Sequence, residues 1–230
     1  MMQHQEWPDI EKTWSSKEQL FPGIWVYRDV ITADVDVINR VESLLSKGDP
    51  AHQWNEATVG YREKRPEYRD CFDYKLRNIE YPGASQNDLE SGAIWKDLYS
   101  KQLNVLTDYS RMYNINLTYW EAMNFIKYGP GQHFYYHADH GFSYISTVSL
   151  VAYPNDNYTG GGLRFDKLDL EIKPKAGDLY VFPSSYLFSH AALPVGEGTK
   201  YSIVTMTDYN DAAHQPDFYK QFATAYSIKE

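Results

Sequence analysis

The 230-residue sequence has one cysteine, Cys71, so no disulfide can form within it. A chain of this length buries about 70–75% of its unfolded surface and needs no covalent staple. One thiol and no framework fit a reducing, intracellular setting. No apolar run approaches the roughly 20 residues that span a bilayer, and residues 1–14 lack the apolar core of a secretory signal. A cytoplasmic location is therefore expected. Basic charge is short too. The 22 lysines and arginines face 31 aspartates and glutamates, leaving −9, the wrong sign for a surface that neutralises phosphates or anionic lipid. Neither a nucleic-acid partner nor a membrane is expected. Glycine and proline, 14 and 11 residues, are too scarce for disorder, and no repeat, low-complexity tract or linker divides the chain. A single domain over residues 1–230 is expected.

What is abundant is aromatic, with 21 tyrosines, 10 phenylalanines and 6 tryptophans. Texture changes near residue 115. Before it, periodicity predicts helices over residues 33–46 and 88–113, the first capped by Thr32 and stopped by Gly48. Between them, residues 61–70 set four cations against three anions, which reads as a solvated loop or as a lid over a substrate. After residue 115, strands of β-branched and aromatic residues alternate with turns: residues 117–128, 144–153, 163–165, 168–172 and 178–182, then a pair at 189–195 and 200–208 around Gly196-Glu197-Gly198. The class is α+β, mainly β: a sandwich or jelly roll with helices packed outside. About residues 1–115 read as helical support, 116–210 as the β core and 211–230 as a C-terminal extension.

The candidate site begins at His137-Ala138-Asp139. In an extended chain, side chains two apart share a face, so one imidazole and one carboxylate can approach one ion. His190 can supply a third ligand. Two histidines and a carboxylate on one face of a metal leave open positions, the arrangement of non-heme Fe(II) oxygenases. A hairpin turning near Gly196 puts residue 190 opposite residue 201 and brings Lys200 to the metal face. A buried ammonium there calls for an anion. His133 would pair with His137 only on a helix, and His140 faces away from Asp139, so both read as structural. His4, His52 and His214 read as surface residues and Cys71 as an inert thiol. Gly160-Gly161-Gly162 serves a turn.

In order, Tyr128-x-x-Gly131, His137-x-Asp139, Tyr153, Gly161-Gly162 with Phe165, Pro174-x-x-Gly177-Asp178 with Phe182, His190 with Pro194-Val195, and Gly198-Thr199-Lys200-Tyr201-Ser202 span about residues 118–210. This set resembles the Fe(II)- and 2-oxoglutarate-dependent dioxygenases, prolyl 4-hydroxylase-like branch. The resemblance implies a double-stranded β-helix, with His137, Asp139 and His190 as iron ligands and Lys200 pairing with the distal carboxylate of 2-oxoglutarate. Tyr128 and Tyr153 match tyrosines that bind the co-substrate or line the pocket. It implies Fe(II), with 2-oxoglutarate and O2 as co-substrates, and admits ascorbate. The reaction implied is hydroxylation of an unactivated C–H with decarboxylation of 2-oxoglutarate to succinate and CO2. A proline-containing peptide or protein is the leading substrate, as for a procollagen-proline 4-dioxygenase. A small molecule or another protein residue is the alternative; a non-catalytic jelly-roll binding module would have no need of Lys200. Tyr135, Tyr136, Tyr144 and Tyr201 are expected near the metal motif with Tyr128 and Tyr153.

Overall fold

The computed structural model describes residues 7–32, 36–60, 62–141 and 145–215. In chain order the first elements are β1 (Lys17–Phe21), β2 (Ile24–Tyr27), α1 (Val37–Leu45), β3 (Asn55–Glu56), β4 (Arg69–Asp70), β5 (Phe72–Leu76) and α2 (Gln86–Tyr113). There follow β6 (Tyr119–Trp120), β7 (Met123–Tyr128), β8 (His133–His137), β9 (Val148–Ala152), β10 (Leu163–Phe165), β11 (Leu170–Ile172), β12 (Leu179–Pro183), β13 (His190–Ala192) and β14 (Lys200–Asp208). The strands form two sheets, ordered β1-β2-β12-β9-β14-β7-β5-β3, with β6 on β14, and β11-β10-β13-β8-β4.

Alternation along the central strands of the larger sheet divides its two faces. Met123, Phe125, Leu150, Leu179, Val181, Tyr201 and Ile203 pack with Ile94, Leu98, Val105 and Tyr109 of α2 and with Val37, Val41 and Leu44 of α1. On the opposite face Ile24, Val26, Val151, Tyr180 and Phe182 meet Leu163, Phe165 and Ile172 of the smaller sheet. The site lies in that second interface.

α2 begins two residues earlier than its periodicity predicts, because Ser85 and Asp88 form a capping box that satisfies two helix-end donors. Gly92 allows its close approach to the chain before it: a Cβ there would lie 2.9 Å from Ile79 O. α1 is shorter than expected, and Thr32 does not cap it. The preceding residue is Asp36, in left-handed conformation, while the Thr32 hydroxyl faces the Lys101 ammonium at 3.1 Å. Residues 33–35 lie outside the described residues.

Three other expectations change. The first 115 residues are more than a helical support, since β1, β2, β3 and β5 extend the larger sheet and β4 the smaller. β13 and β14 do not pair as a hairpin: β13 lies between β10 and β8, whereas β14 lies between β9 and β7. His52 is buried rather than on the surface. Its Nδ1 lies 2.6 Å from the Tyr74 hydroxyl and its Nε2 3.0 Å from Asp88, tying the chain after α1 to the start of α2. His214 is half-buried, stacked on Tyr119 with Nε2 3.2 Å from Asp208. His4 lies outside the described residues. No helix among the described residues is long and apolar enough to cross a membrane.

Candidate metal centre and its cavity

β8 ends at His137 and β13 begins at His190, and these two residues are register partners. Asp139 stands just past the end of β8. One ligand atom from each of the three lies within 4.8 Å of the other two. His137 Nε2 is 3.4 Å from Asp139 Oδ1, and His190 Nε2 is 3.8 Å from Oδ2.

The ring orientations fit a metal. His137 Nδ1–H donates to Tyr135 O at 2.9 Å, and His190 Nδ1–H to Phe188 O at 3.0 Å. Each proton is thereby fixed on Nδ1, which leaves the Nε2 lone pair for a cation. Burial lowers the His190 pKa to about 4, so the ring is neutral. Burial works against ionisation of Asp139, but His190, His137 and the Ser149 hydroxyl outweigh it and hold the carboxyl well below the usual range. Two imidazoles and one carboxylate form a donor set suited to Fe(II).

Motif spacing does not single out Ser149. Its hydroxyl donates to Asp139 Oδ2 at 2.6 Å and meets Ser184 Oγ at 2.7 Å, which in turn meets Ser146 Oγ at 2.8 Å. The signal was a lone serine in the apolar run of residues 148–152, on the face shared with Val151 and Tyr153. His133 and His140 are structural as expected. The His133 ring lies by the backbone of Gly131 and Glu67, and the His140 ring is held by the backbone of Ser146.

Lys200 reaches the site from the other sheet. It stands opposite Tyr128 in the β14–β7 register, is 1% exposed, and donates to Gly161 O at 2.6 Å. Its Nζ sits 5.1 Å and 5.4 Å from the ring centroids of Tyr128 and Tyr153. No carboxylate pairs with it among the described residues, and burial lowers its pKa to about 7. Burial also holds the Tyr128 and Tyr153 hydroxyls protonated, hence as donors. Lys200, both tyrosines and the three candidate ligands line one cavity of about 70 Å³.

Arg69, expected in a solvated loop, is a wall of this cavity. β4 docks it on β8, its side chain is 13% exposed, and its guanidinium lies 4.7 Å from the Phe134 ring centroid. Phe134 in turn stacks flat on His137. The end of the expected lid is therefore built into the smaller sheet; Tyr61 lies outside the described residues. The Cys71 thiol is buried beside Arg69 and Tyr128, and burial raises its pKa, as an inert thiol requires. Tyr201 is not a site residue: adjacent residues of a strand face opposite ways, and its hydroxyl donates to Glu42 on the helical side at 2.6 Å. Tyr135 is exposed beside the site, and Tyr144 lies outside the described residues.

Residues 123–207 match the family model described as the 2OG-Fe(II) oxygenase superfamily. No curated protein matches the chain. Among solved structures it is similar to a prolyl hydroxylase from Trichoplax adhaerens, solved with a hypoxia inducible factor peptide fragment (TM-score 0.64, 15% identity, 89% of this chain and 87% of that one). It is also similar to the viral collagen prolyl hydroxylase of Paramecium Bursaria Chlorella virus-1 (0.56, 19%, 80% and 95%). A third is a Pseudomonas putida prolyl-4-hydroxylase (0.56, 22%, 82% and 93%). The match to the 2OG-Fe(II) oxygenase superfamily thus falls on residues 123–207, the segment that carries His137, Asp139, His190 and Lys200.

Proposed function

We propose that the protein hydroxylates a proline within a polypeptide, with His137, Asp139 and His190 holding Fe(II) and Lys200 anchoring 2-oxoglutarate. The observation that carries this reading is the shared cavity. Three metal-competent atoms and an ammonium without a carboxylate partner among the described residues face it from opposite sheets. A dicarboxylate chelating the metal by its keto acid end would give that ammonium its anion. Fe(II) held by His137, Asp139 and His190 would supply the O2 chemistry, in which one oxygen atom ends in succinate as 2-oxoglutarate loses CO2 and the other ends in the hydroxyl group of the substrate.

The chain's own residues bind and orient. Tyr128 and Tyr153 flank the ammonium and offer protonated hydroxyls to the co-substrate. Asp139, oriented by Ser149, is the anionic ligand, and Phe134, Phe165 and Phe182 fix the imidazoles. The two facing sheets fit a double-stranded β-helix. The peptide substrate reading is supported by the solved relatives, whose names specify prolyl hydroxylases.

The test is to supply Fe(II), 2-oxoglutarate, O2 and a panel of proline-containing peptides. Succinate and a peptide heavier by one oxygen on proline are expected. Succinate with oxygen on another residue or on a small molecule would overturn the proline assignment. No succinate under any condition would overturn the activity.

A further inference from the structure

Two buried polar atoms in the wall of the metal cavity have no hydrogen-bond partner: Arg69 Nε and Asn124 Oδ1. The one other such atom among the described residues, Tyr158 Oη, lies outside that wall. A buried donor or acceptor left unpaired loses the hydrogen bonds it would make to water, so two in one cavity wall point to a ligand that completes them.

Their chemistry is complementary to one kind of group. The Arg69 guanidinium is fixed, with Nη1 donating to Thr58 O at 2.9 Å and Nη2 to Asp73 Oδ2 at 3.3 Å, and its buried Nε–H is left without a partner. Asn124 presents an acceptor. A secondary amide offers the carbonyl oxygen and the N–H that these two lack.

Their position gives a direction. Arg69, Asn124 and Met206 line both the metal cavity and a groove of about 920 Å³. In the β5–β7 register Lys75 opposes Asn124 and Asp73 opposes Ile126, and Asn55 of β3 opposes Asp73. These side chains therefore continue the cavity-facing side of the larger sheet outward, and all three line the groove. A chain leaving the cavity past Asn124 meets polar side chains of both signs.

Resting on the polypeptide reading above, we infer that Arg69 and Asn124 bind one peptide unit of the substrate. Arg69 Nε–H donates to its carbonyl, Asn124 Oδ1 accepts from its N–H, and the polypeptide continues along the groove. An X–Pro bond has no N–H, so the unit nearest the target proline that offers both groups is the Pro–X amide on its C-terminal side, and the inference is made for that unit. The pair positions substrate and takes no part in bond making.

The test compares acetyl-Ala-Ala-Pro-Ala-Ala-amide with its depsipeptide, in which lactate replaces the alanine after proline and removes that single N–H. Product heavier by one oxygen gives kcat/KM, and fluorescein-labelled versions give binding to the metal-free protein. The wild type should prefer the amide by roughly tenfold in both measurements, a typical value for one unpaired hydrogen-bonding group. Asn124→Leu should treat amide and ester alike, while Asn124→Asp, which keeps an acceptor, should retain the preference and shows that the site tolerates substitution. No amide preference in the wild type, or one that survives in Asn124→Leu, overturns the inference and leaves proline hydroxylation standing. A wild type that modifies proline in neither probe, nor in the peptide panel, overturns both.

Discussion

His137 and His190 stand directly opposite one another on β8 and β13, and each ring is held by the carbonyl two residues before it. Cross-strand pairing fixes the separation of the two imidazoles, and the backbone fixes their tautomer. Only the carboxylate needs a side chain to orient it, and Ser149 does this. Ser149→Ala should therefore weaken divalent metal binding by roughly 10–100-fold while the fold survives. A Co(II) or Mn(II) titration measures it, and unchanged affinity would remove Ser149 from the site.

Lys200 should matter to the co-substrate and burden the unloaded protein. Lys200→Met keeps the volume and removes a buried ammonium that has no carboxylate partner among the described residues. Binding of 2-oxoglutarate should be lost, and the unloaded variant should be at least as stable as the wild type, gaining on the order of 1 kcal/mol, or roughly 2–4 °C in Tm. Calorimetry with and without 2-oxoglutarate separates the two effects.

The same group sets a pH dependence. The Lys200 ammonium is held at a pKa of about 7, below its ordinary value of 10.5. A dianion binds the protonated form, so 2-oxoglutarate affinity should fall as pH rises through 7, by up to about tenfold per unit. The unfolded chain keeps its proton up to about 10.5, so this residue makes the unloaded protein more stable as pH rises from 7 toward 10. Titration calorimetry between pH 6 and 9 checks the first effect, and Lys200→Arg should flatten it.

Gly161 sits at φ +63°, and a Cβ there would lie 3.0 Å from Tyr158 and 3.1 Å from Lys200 Cδ. Gly161→Ala combines left-handed strain of roughly 1–2 kcal/mol with pressure on the lysine stem. Both Tm and 2-oxoglutarate affinity should drop. A variant with wild-type affinity would show that the stem can shift without consequence.

Ser85→Ala removes the cap of α2 far from the cavity. It should cost about 1 kcal/mol of stability and roughly 2–4 °C in Tm, with 2-oxoglutarate affinity unchanged.

The local half of this site is legible in the order of residues. His137 and Asp139 are two residues apart at a strand end, so their shared approach to one ion follows from strand geometry alone. The order of motifs from Tyr128 to Lys200 singles out His190 and Lys200, which line one cavity with His137 and Asp139. It does so although the hairpin offered to bring Lys200 to the metal is absent: β13 and β14 lie in different sheets, and Lys200 arrives from the opposite wall. Whatever depends on facing partners distant in sequence comes from the fold. Ser149 finds Asp139, Arg69 leaves its charged loop to flank Phe134, His52 is buried between Tyr74 and Asp88, and Tyr201 turns to Glu42. Motif spacing fixes which side chains share a strand face. Which faces meet is set by sheet order, and that order comes from burying apolar surface across the whole chain.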